Sequence, residues 1–305
     1  MNDEKKGMLA ATAAYIIFGL SYLFSKMALE VSEPSILLWA RFTVTFLALN
    51  LLLLTGVGKL RLKGKRILYA VLLGVLQPVL YFVFENYGLK YTTTSFTGLM
   101  SSISPVFAAV LGALILRERP NLRQWLCIAV SVAGVMLVSV GGTGGQNTVW
   151  GCVCLLIAYL LGACYSLLVR HISKEFTPFE MTYMMFAVGF VFFTGWAFAG
   201  NGLSAFRMLG EAASDGRFVI SVLYLGLCAS VGAYFLSNYS LTRLPVARST
   251  IFSNLSTVVS VLAGVVVMKD PFGWIHALSF VLILAGVAGV NFFRTKEPAA
   301  LSSPD

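Results

Sequence analysis

The stretch Asn86-Tyr87-Gly88-Leu89 returns 152 positions later in the chain as Asn238-Tyr239-Ser240-Leu241. The same shift superimposes residues 66–137 on a later stretch without a gap, which is hard to produce by chance in apolar segments. Further matches are Gly74 with Gly226, Ser101 with Ser253, Ser104 with Ser256, Gly112 with Gly264, and Ala133-Gly134-Val135 with Ala285-Gly286-Val287. The second half of the chain is therefore predicted to be a structural copy of the first.

The composition is that of an integral membrane protein. Of the 305 residues, 58% are hydrophobic and 11% are charged, whereas about 25% are charged in typical soluble domains. The apolar runs are about 17 to 25 residues long, enough to cross a hydrocarbon core of about 30 Å. The first run begins near Met8 and lacks a small-residue cleavage site, so we interpret it as a retained span.

These runs predict an all-α integral membrane protein with ten transmembrane helices. Each copy would hold five crossings, an odd number, so the second copy must enter the bilayer from the opposite side. The predicted units are therefore two inverted five-helix repeats, residues 8–141 and 149–294. The longest connection, residues 201–216, has no predicted structure. The ten predicted spans are 8–28, 34–55, 67–89, 93–116, 122–141, 149–170, 178–200, 217–240, 245–268 and 272–294.

Basic residues predict the orientation. With the amino terminus in the cytoplasm, 16 Lys and Arg residues would lie in cytoplasmic segments and five on the other side. The positive-inside rule then places both termini in the cytoplasm of a multi-pass protein of the cell membrane. The net charge of +9 does not indicate nucleic-acid binding, because the basic residues lie in short connections between spans.

The cysteines are expected to be small packing residues rather than metal ligands. Cys152 and Cys154 are two residues apart, so they point away from each other on a helix, and no His or carboxylate lies nearby in the sequence. No nucleotide-binding motif is present either. The sequence therefore predicts no metal site and no cofactor.

The chain resembles the drug/metabolite transporter superfamily, specifically its bacterial members with two EamA-type domains. The first copy carries the resemblance in Pro105, Gly112, Glu118 and Ala133-Gly134-Val135. The second carries it in Gly264, Asp270 and Ala285-Gly286-Val287. The resemblance covers residues 8–294, and it implies export of small molecules such as amino acids, nucleosides, vitamins or toxic compounds.

Small, weakly polar residues on the fourth and ninth spans are candidates for lining a substrate cavity. They recur at three- and four-residue spacing, which places them on one helix face. The same stripe could instead serve close packing between helices in lipid. The candidates are Ser101, Ser104, Ser253, Asn254 and Ser256.

Aromatic and amide side chains inside the spans are further candidates. Pro78 should kink the third span and turn Gln77 toward the cavity, although a neighbouring helix could equally satisfy this amide. Tyr22 and Tyr165 each follow a glycine by three residues, which suggests equivalent places in the two halves. Trp39 and Tyr81 also lie within spans, where a ring either packs or orients a substrate.

Arg41 and Glu85 are ionisable residues well inside predicted spans, at similar depth. Because a charged side chain inside the membrane is energetically costly, we interpret each of these residues as a candidate for function. In the sharper interpretation, Glu85 binds the coupling proton and Arg41 lowers its proton affinity until a conformational change separates the two. The alternatives are a static ion pair and separate snorkelling to the outer interface.

The sequence favours a secondary transporter that works by alternating access, with export entering through the resemblance alone. An enzyme would need a nucleophile and a base or a carboxylate and histidine cluster, and a channel would need a filter usually built by identical subunits. The alternatives are a carrier for phosphorylated or nucleotide-linked metabolites and a non-transporting membrane scaffold. The expected partners are a small-molecule substrate, membrane lipid and, through spans 5 and 10, a second copy of the chain.

Overall fold

The computed structural model describes residues 3–56, 58–115, 121–140, 147–244 and 252–293. Within these ranges the chain is helical, with turns and short connections and no strand. The helices are α1 (Asp3–Leu29), α2 (Pro34–Leu54), α3 (Ile67–Lys90), α4 (Thr94–Ser101), α5 (Ser104–Ile115), α6 (Leu122–Val140), α7 (Val149–Ile172), α8 (Pro178–Asn201), α9 (Ser204–Ala213), α10 (Gly216–Arg243), α11 (Ser253–Val266) and α12 (Trp274–Phe292).

Six of these helices, α1, α2, α3, α7, α8 and α10, are long and apolar enough to cross a membrane. Shorter apolar helices lie at 122–137, 254–266 and 274–289. The prediction of an all-helical membrane protein is thus confirmed, while the number of ten crossings stays a prediction. The prediction of an unstructured connection at 201–216 is wrong, because α9 forms there. Its strong amphipathic character explains the error, since Ala205 and Ala212 are buried while Phe206 is exposed.

The third and tenth helices share an irregularity at equivalent positions. Residues Val75–Leu80 of α3 form a kink and Tyr224–Ala233 of α10 are π-helical, and the 152-residue shift places the first segment within the second. In α3 the cause is Pro78, which cannot donate to the helix ladder, and Gln77 has extended dihedral angles (φ −148°, ψ 116°). In α10 the residue equivalent to Pro78 is Ser230.

The predicted fourth span is two helices, α4 and α5, with a break at Ser102 and Ile103. Around the break the backbone makes tighter three-residue bonds, Ser102 N to Leu99 O and Ile103 N to Met100 O. The sequence explains the break, because residue 105 is proline and has no backbone N–H to continue the ladder. The two segments have different partners, since α4 packs against α11 and α5 packs against α7.

Helices α6 and α12 pack against each other along their length. Gly134 of α6 and Gly286 of α12, which are 152 positions apart, lie at this crossing. A Cβ atom at residue 134 would come within 2.8 Å of Ile283, and one at residue 286 within 2.6 Å of the Cys127 carbonyl oxygen. The small residues of spans 5 and 10 therefore serve packing within the chain, and a homodimer through these helices stays a prediction.

The polar contacts between the connections show that the connections lie at two ends of the molecule. At the first, which we call the basic end, Arg243 pairs with Asp3 at 2.6 Å. There the α2–α3 connection also meets the α7–α8 connection, through ion pairs of Lys65 with Glu180 and Arg66 with Glu175. The Arg66 backbone N–H and guanidinium lower the pKa of the Glu175 carboxyl below its usual value.

At the second end, which we call the outer end after the side that the basic residues predict for it, the contacts involve a different set of connections. Lys90 pairs with Glu33 at 2.6 Å, Arg217 pairs with Glu30 at 3.4 Å, and the Thr93 N–H donates to Asn147 Oδ1 at 2.9 Å. The ends of α1 and α3 therefore lie beside the starts of α2, α4, α7 and α10. Successive long helices run in opposite directions between the two ends.

Candidate functional site

A cavity of about 850 Å³, including the space at its mouth, lies between helices from both halves of the chain. Polar and aromatic side chains dominate its wall, in contrast to the apolar outer surface of the helices. The lining residues are Tyr15, Phe18, Ser21, Tyr22, Arg41, Gln77, Tyr81, Phe82, Glu85, Ser101, Ser104, Ala108, Tyr159, Gly162, Ala163, Tyr165, Ser166, Tyr234, Ser237 and Ser256. Nine of the twelve residues proposed from the sequence as substrate or coupling residues are in this set.

Arg41 reaches the cavity from α2 and is only 2% exposed. Its Nε donates to Ser230 Oγ at 3.0 Å, and its Cζ lies 4.1 Å from the centre of the Phe82 ring. The aromatic face and the hydroxyl hold the guanidinium in one orientation, and the described residues provide no carboxylate in direct contact with it. Its remaining N–H donors can therefore bind an anionic group in the cavity.

Glu85 enters the same cavity from α3 and is 7% exposed. The Tyr81 hydroxyl, one helical turn earlier, donates to its Oε1 at 2.6 Å. Arg41 interacts electrostatically with Glu85, but the two make no direct ion pair in the described structure. One wall of the cavity thus presents a carboxyl and a guanidinium whose partners are neutral groups.

Tyrosine hydroxyls connect the helices around the cavity. Tyr165 donates to Asn238 Oδ1 at 2.7 Å, and Tyr159 donates to the Thr97 carbonyl oxygen at 2.8 Å. Gln77 lies at the kink of α3 and lines the cavity. Its Nε2 donates to the Tyr234 hydroxyl, so the amide also has a hydrogen-bond partner on a neighbouring helix. Tyr22 lies beside Tyr81, Tyr159 and Ser101.

The serine stripe both packs and lines the cavity. Ser101, Ser104 and Ser256 border the space, and the Ser101 and Thr257 hydroxyls are 3.4 Å apart. Nearer the outer end, a Cβ at Gly98 would come within 1.7 Å of Ser260 Oγ, so α4 and α11 are in close contact there. The two interpretations of the stripe therefore apply to different parts of it.

Two predicted residues, Trp39 and Asn254, are not among the described residues that line the cavity. Trp39 is 8% exposed and packs against Phe198 and Phe206, with ring centres 5.0 and 5.5 Å away. Asn254 is half-buried, and its Oδ1 has no hydrogen-bond partner in the described structure. The backbone of Ser253 begins α11, but its side chain lies outside the described part of the molecule, as does Glu118.

Sequence reasoning missed Tyr159, Tyr234 and Ser237. Ser237 could have been found by applying the 152-residue shift to Glu85, whereas Tyr234 is the equivalent of Phe82, which the sequence pattern does not single out. The charge of Glu85 thus has no equivalent in the second half. Within the described residues, no group of three or more His, Cys, Asp or Glu side chains is placed to hold a metal ion.

A polar cavity with buried charges, enclosed by apolar helices from both halves of the chain, is typical of multi-pass membrane transporters. The chain belongs to the EamA-like transporter family of the drug/metabolite transporter superfamily, because the family model matches residues 5–140 and 149–292. The resemblance noted in the sequence is confirmed. Membership indicates a transporter, a class that is generally not enzymatic.

Similar proteins of known sequence have similar length. The uncharacterized transporter YcxC of Bacillus subtilis (strain 168) is 34% identical, with 97% of each chain covered. A probable terminal-alkyne amino-acid exporter of Streptantibioticus cattleyicolor is 26% identical, over 69% of this chain and 68% of that protein. A solved crystal structure matches with a TM-score of 0.62 at 16% identity, over 93% of this chain and 96% of the other, which shows a shared fold.

Proposed function

We propose that the protein is a secondary active transporter that exports small amino-acid-like metabolites by alternating access. In this proposal ten crossings form two inverted five-helix repeats, residues 8–141 and 149–294, in the cytoplasmic membrane. The basic end faces the cytoplasm, as the positive-inside rule requires, and both termini lie on that side. The two ends defined by the contacts agree with the sides assigned from the basic residues.

The observation that carries the proposal is the presence of Arg41 and Glu85 on one cavity without direct contact between them. A zwitterion of amino-acid size presents a carboxylate and an ammonium group, which complement a guanidinium and a carboxylate respectively. The tyrosine rings around these groups supply apolar surface and hydroxyls for the rest of the substrate. The name of the amino-acid exporter from Streptantibioticus cattleyicolor agrees with this substrate class.

The charge of the wall argues against a polyanionic substrate. Arg41 is the one Lys or Arg among the described lining residues. Phosphorylated and nucleotide-linked metabolites carry two or more negative charges, whose desolvation a single cation would not offset. A carrier for such metabolites is therefore less well supported than an amino-acid exporter.

Glu85 is also the proposed site of the coupling proton. A carboxyl that is bonded to one neutral hydroxyl inside a membrane protein can change its protonation when the cavity changes sides, because exposure to water and to Arg41 changes with it. Substrate and proton would then compete for the same carboxyl. This competition gives a physical route for exchange of one for the other.

The test is transport in proteoliposomes with an imposed pH gradient. Thermal-shift screening of the purified protein against amino acids, nucleosides and vitamins first selects the substrate, since a ligand at 100 times its Kd stabilises the folded state by about 2.7 kcal/mol. We expect Glu85→Gln to lose pH-driven accumulation and to bind the substrate more weakly, because the neutral amide cannot pair with the ammonium group, so that any residual exchange no longer depends on the pH gradient. Full pH-driven accumulation by Glu85→Gln would contradict the assignment.

Tyr81→Phe is the matched control for this substitution. It removes the hydroxyl that donates to Glu85 but keeps the carboxyl and the ring. We expect this variant to retain proton coupling. A loss of coupling in both variants would assign the effect to the hydrogen bond rather than to the carboxyl.

A further inference from the structure

A polar cluster at the outer end contains Lys26 of the first half and Asp270 of the second. Lys26 lies in the last turn of α1 and is half-buried. Its Nζ donates to the carbonyl oxygens of Leu89 and Thr92, the former at 2.9 Å, at the carboxyl end of α3. A lysine at this place adds a donor for carbonyls at the end of α3 and complements the negative end of the helix dipole.

Asp270, from the connection between α11 and α12, joins the same cluster. Its Oδ2 accepts from the Ser95 N–H in the first turn of α4 at 2.7 Å, and its own N–H donates to the Gly264 carbonyl oxygen of α11 at 3.0 Å. The carboxylate also interacts electrostatically with the Lys26 ammonium, although the two make no direct ion pair within the described residues. One aspartate thus ties the end of α11 to the start of α4.

Gly264 allows this close approach. A Cβ atom at this position would lie 2.5 Å from Asp270 Oδ2 and 2.8 Å from the Ser95 backbone nitrogen. Any larger residue would therefore separate α11 from α4 at the outer end. The cluster consists of Lys26, Leu89, Thr92 and Ser95 from the first half and Gly264 and Asp270 from the second.

The equivalent contact at the basic end is looser. Lys26 follows Tyr22 by four residues and Arg170 follows Tyr165 by five, so the two cations occupy similar places on α1 and α7. Arg170 donates to the carbonyl oxygen of Leu244, which is 152 positions after Thr92, but the distance is 3.4 Å. Lys26 thus makes two short hydrogen bonds to backbone carbonyls at the outer end, whereas Arg170 makes one long hydrogen bond to Leu244 at the basic end.

We propose that Lys26 and Asp270 form a latch that holds the outer end closed in this state, and that Arg170 is its repeat-related counterpart at the basic end. The inference rests on the proposed alternating access. Opening toward the outside requires Lys26 to release the α3 carbonyls and Asp270 to release the start of α4. The sequence equivalent of Asp270 is Glu118.

The experiment measures access to the cavity from each side of the membrane. A single cysteine replaces Ser101 in a background where the five native cysteines are alanine, and this protein is the parent. A membrane-impermeant thiol reagent is applied to intact cells, which reports access from outside, and to inverted vesicles, which reports access from the cytoplasm. We expect the parent to react faster in inverted vesicles, and equal rates from the two sides would contradict a closed outer end.

Asp270→Asn and Lys26→Met each remove one charge of the latch with little change in size. We expect either substitution to increase labelling from outside about tenfold or more, the change that follows the loss of one charge-assisted hydrogen bond. Lys26→Arg keeps the cation and should label like the parent. Unchanged labelling from outside in both charge-removing variants would overturn the proposal.

Glu33→Gln is the matched control, because it removes an ion pair of the outer end, with Lys90, that does not involve Lys26 or the contact of Asp270 with Ser95. We expect no change in its labelling. Labelling from the cytoplasmic side and elution as a single species in size-exclusion chromatography verify that each variant is folded. Where a variant does not fold, the ratio of the parent's labelling rates from the two sides still tests whether the outer end is closed. Altered labelling without detectable transport would contradict the proposed function but support the latch. Transport with unaltered labelling would support the proposed function but contradict the latch.

Discussion

Asn86 and Asn238 occupy equivalent positions in the two copies but have different surroundings. Both are buried, at 1% and 0% exposure. Asn238 accepts from Tyr165 and donates to Thr182 Oγ1 at 2.9 Å, so it connects α10 to α7 and α8. Asn86 donates only to the Phe82 carbonyl oxygen of its own helix, and its Oδ1 has no hydrogen-bond partner in the described structure.

This difference predicts different costs for the same substitution. Asn238→Leu leaves two buried hydroxyls without their partner and should destabilise the protein by about 1–3 kcal/mol. Asn86→Leu removes a buried oxygen that has no partner and should be close to neutral. Thermal unfolding in detergent should give a lower midpoint for the first variant than for the second, and equal midpoints would show that the two amides have the same role.

At the scale of helices, glycine positions decide how closely α6 and α12 approach. The Cβ atom of Gly286→Ala would lie 2.6 Å from the Cys127 carbonyl oxygen and 2.7 Å from the Ser131 nitrogen. Because both neighbours are backbone atoms, the helices must move apart. We expect a loss of about 1–3 kcal/mol in stability, measured by thermal or denaturant unfolding in detergent.

Gly195→Ala in α8 is the same chemical change at an open position, where no described atom beyond the adjacent backbone of α8 lies within 4 Å of the new Cβ. Alanine is favoured over glycine inside a helix by about 0.5–1 kcal/mol, so this control should be neutral or slightly stabilising. A similar loss in both variants would indicate that the effect at residue 286 does not come from the crossing.

At the scale of the whole molecule, the two ends should lie on different sides of the membrane. We expect tags at Met1, near Lys63, near Arg117 and at Asp305 to be accessible only from the cytoplasm, and a tag near Arg207 only from outside. Protease protection or impermeant labelling of cells and inverted vesicles measures this directly. Detection of Met1 and Asp305 on opposite faces would contradict the even number of crossings.

Most of the candidate site could be predicted from the sequence because a polar residue inside an apolar span needs a polar environment. This reasoning identified Arg41, Glu85 and Gln77 without knowledge of their neighbours. It failed for Trp39, because a tryptophan inside a span can pack against other aromatic rings as well as line a cavity. Its partners Phe198 and Phe206 lie more than 150 residues away in the chain, so the sequence does not reveal this packing. It also missed Tyr159, whose hydroxyl meets the Thr97 carbonyl of a distant helix.

The sequence by itself determined that this is a helical membrane protein of two related halves and that it belongs to a transporter family. Apolar run length, the 152-residue repeat and the distribution of basic residues are properties of the chain that do not depend on how the helices pack. Only the tertiary structure decided which polar groups share a cavity, that Glu85 bonds to Tyr81 rather than to Arg41, and that Asp270 bonds to the start of α4. Those contacts depend on the rotation and crossing of helices far apart in sequence, which periodicity along a single helix does not specify.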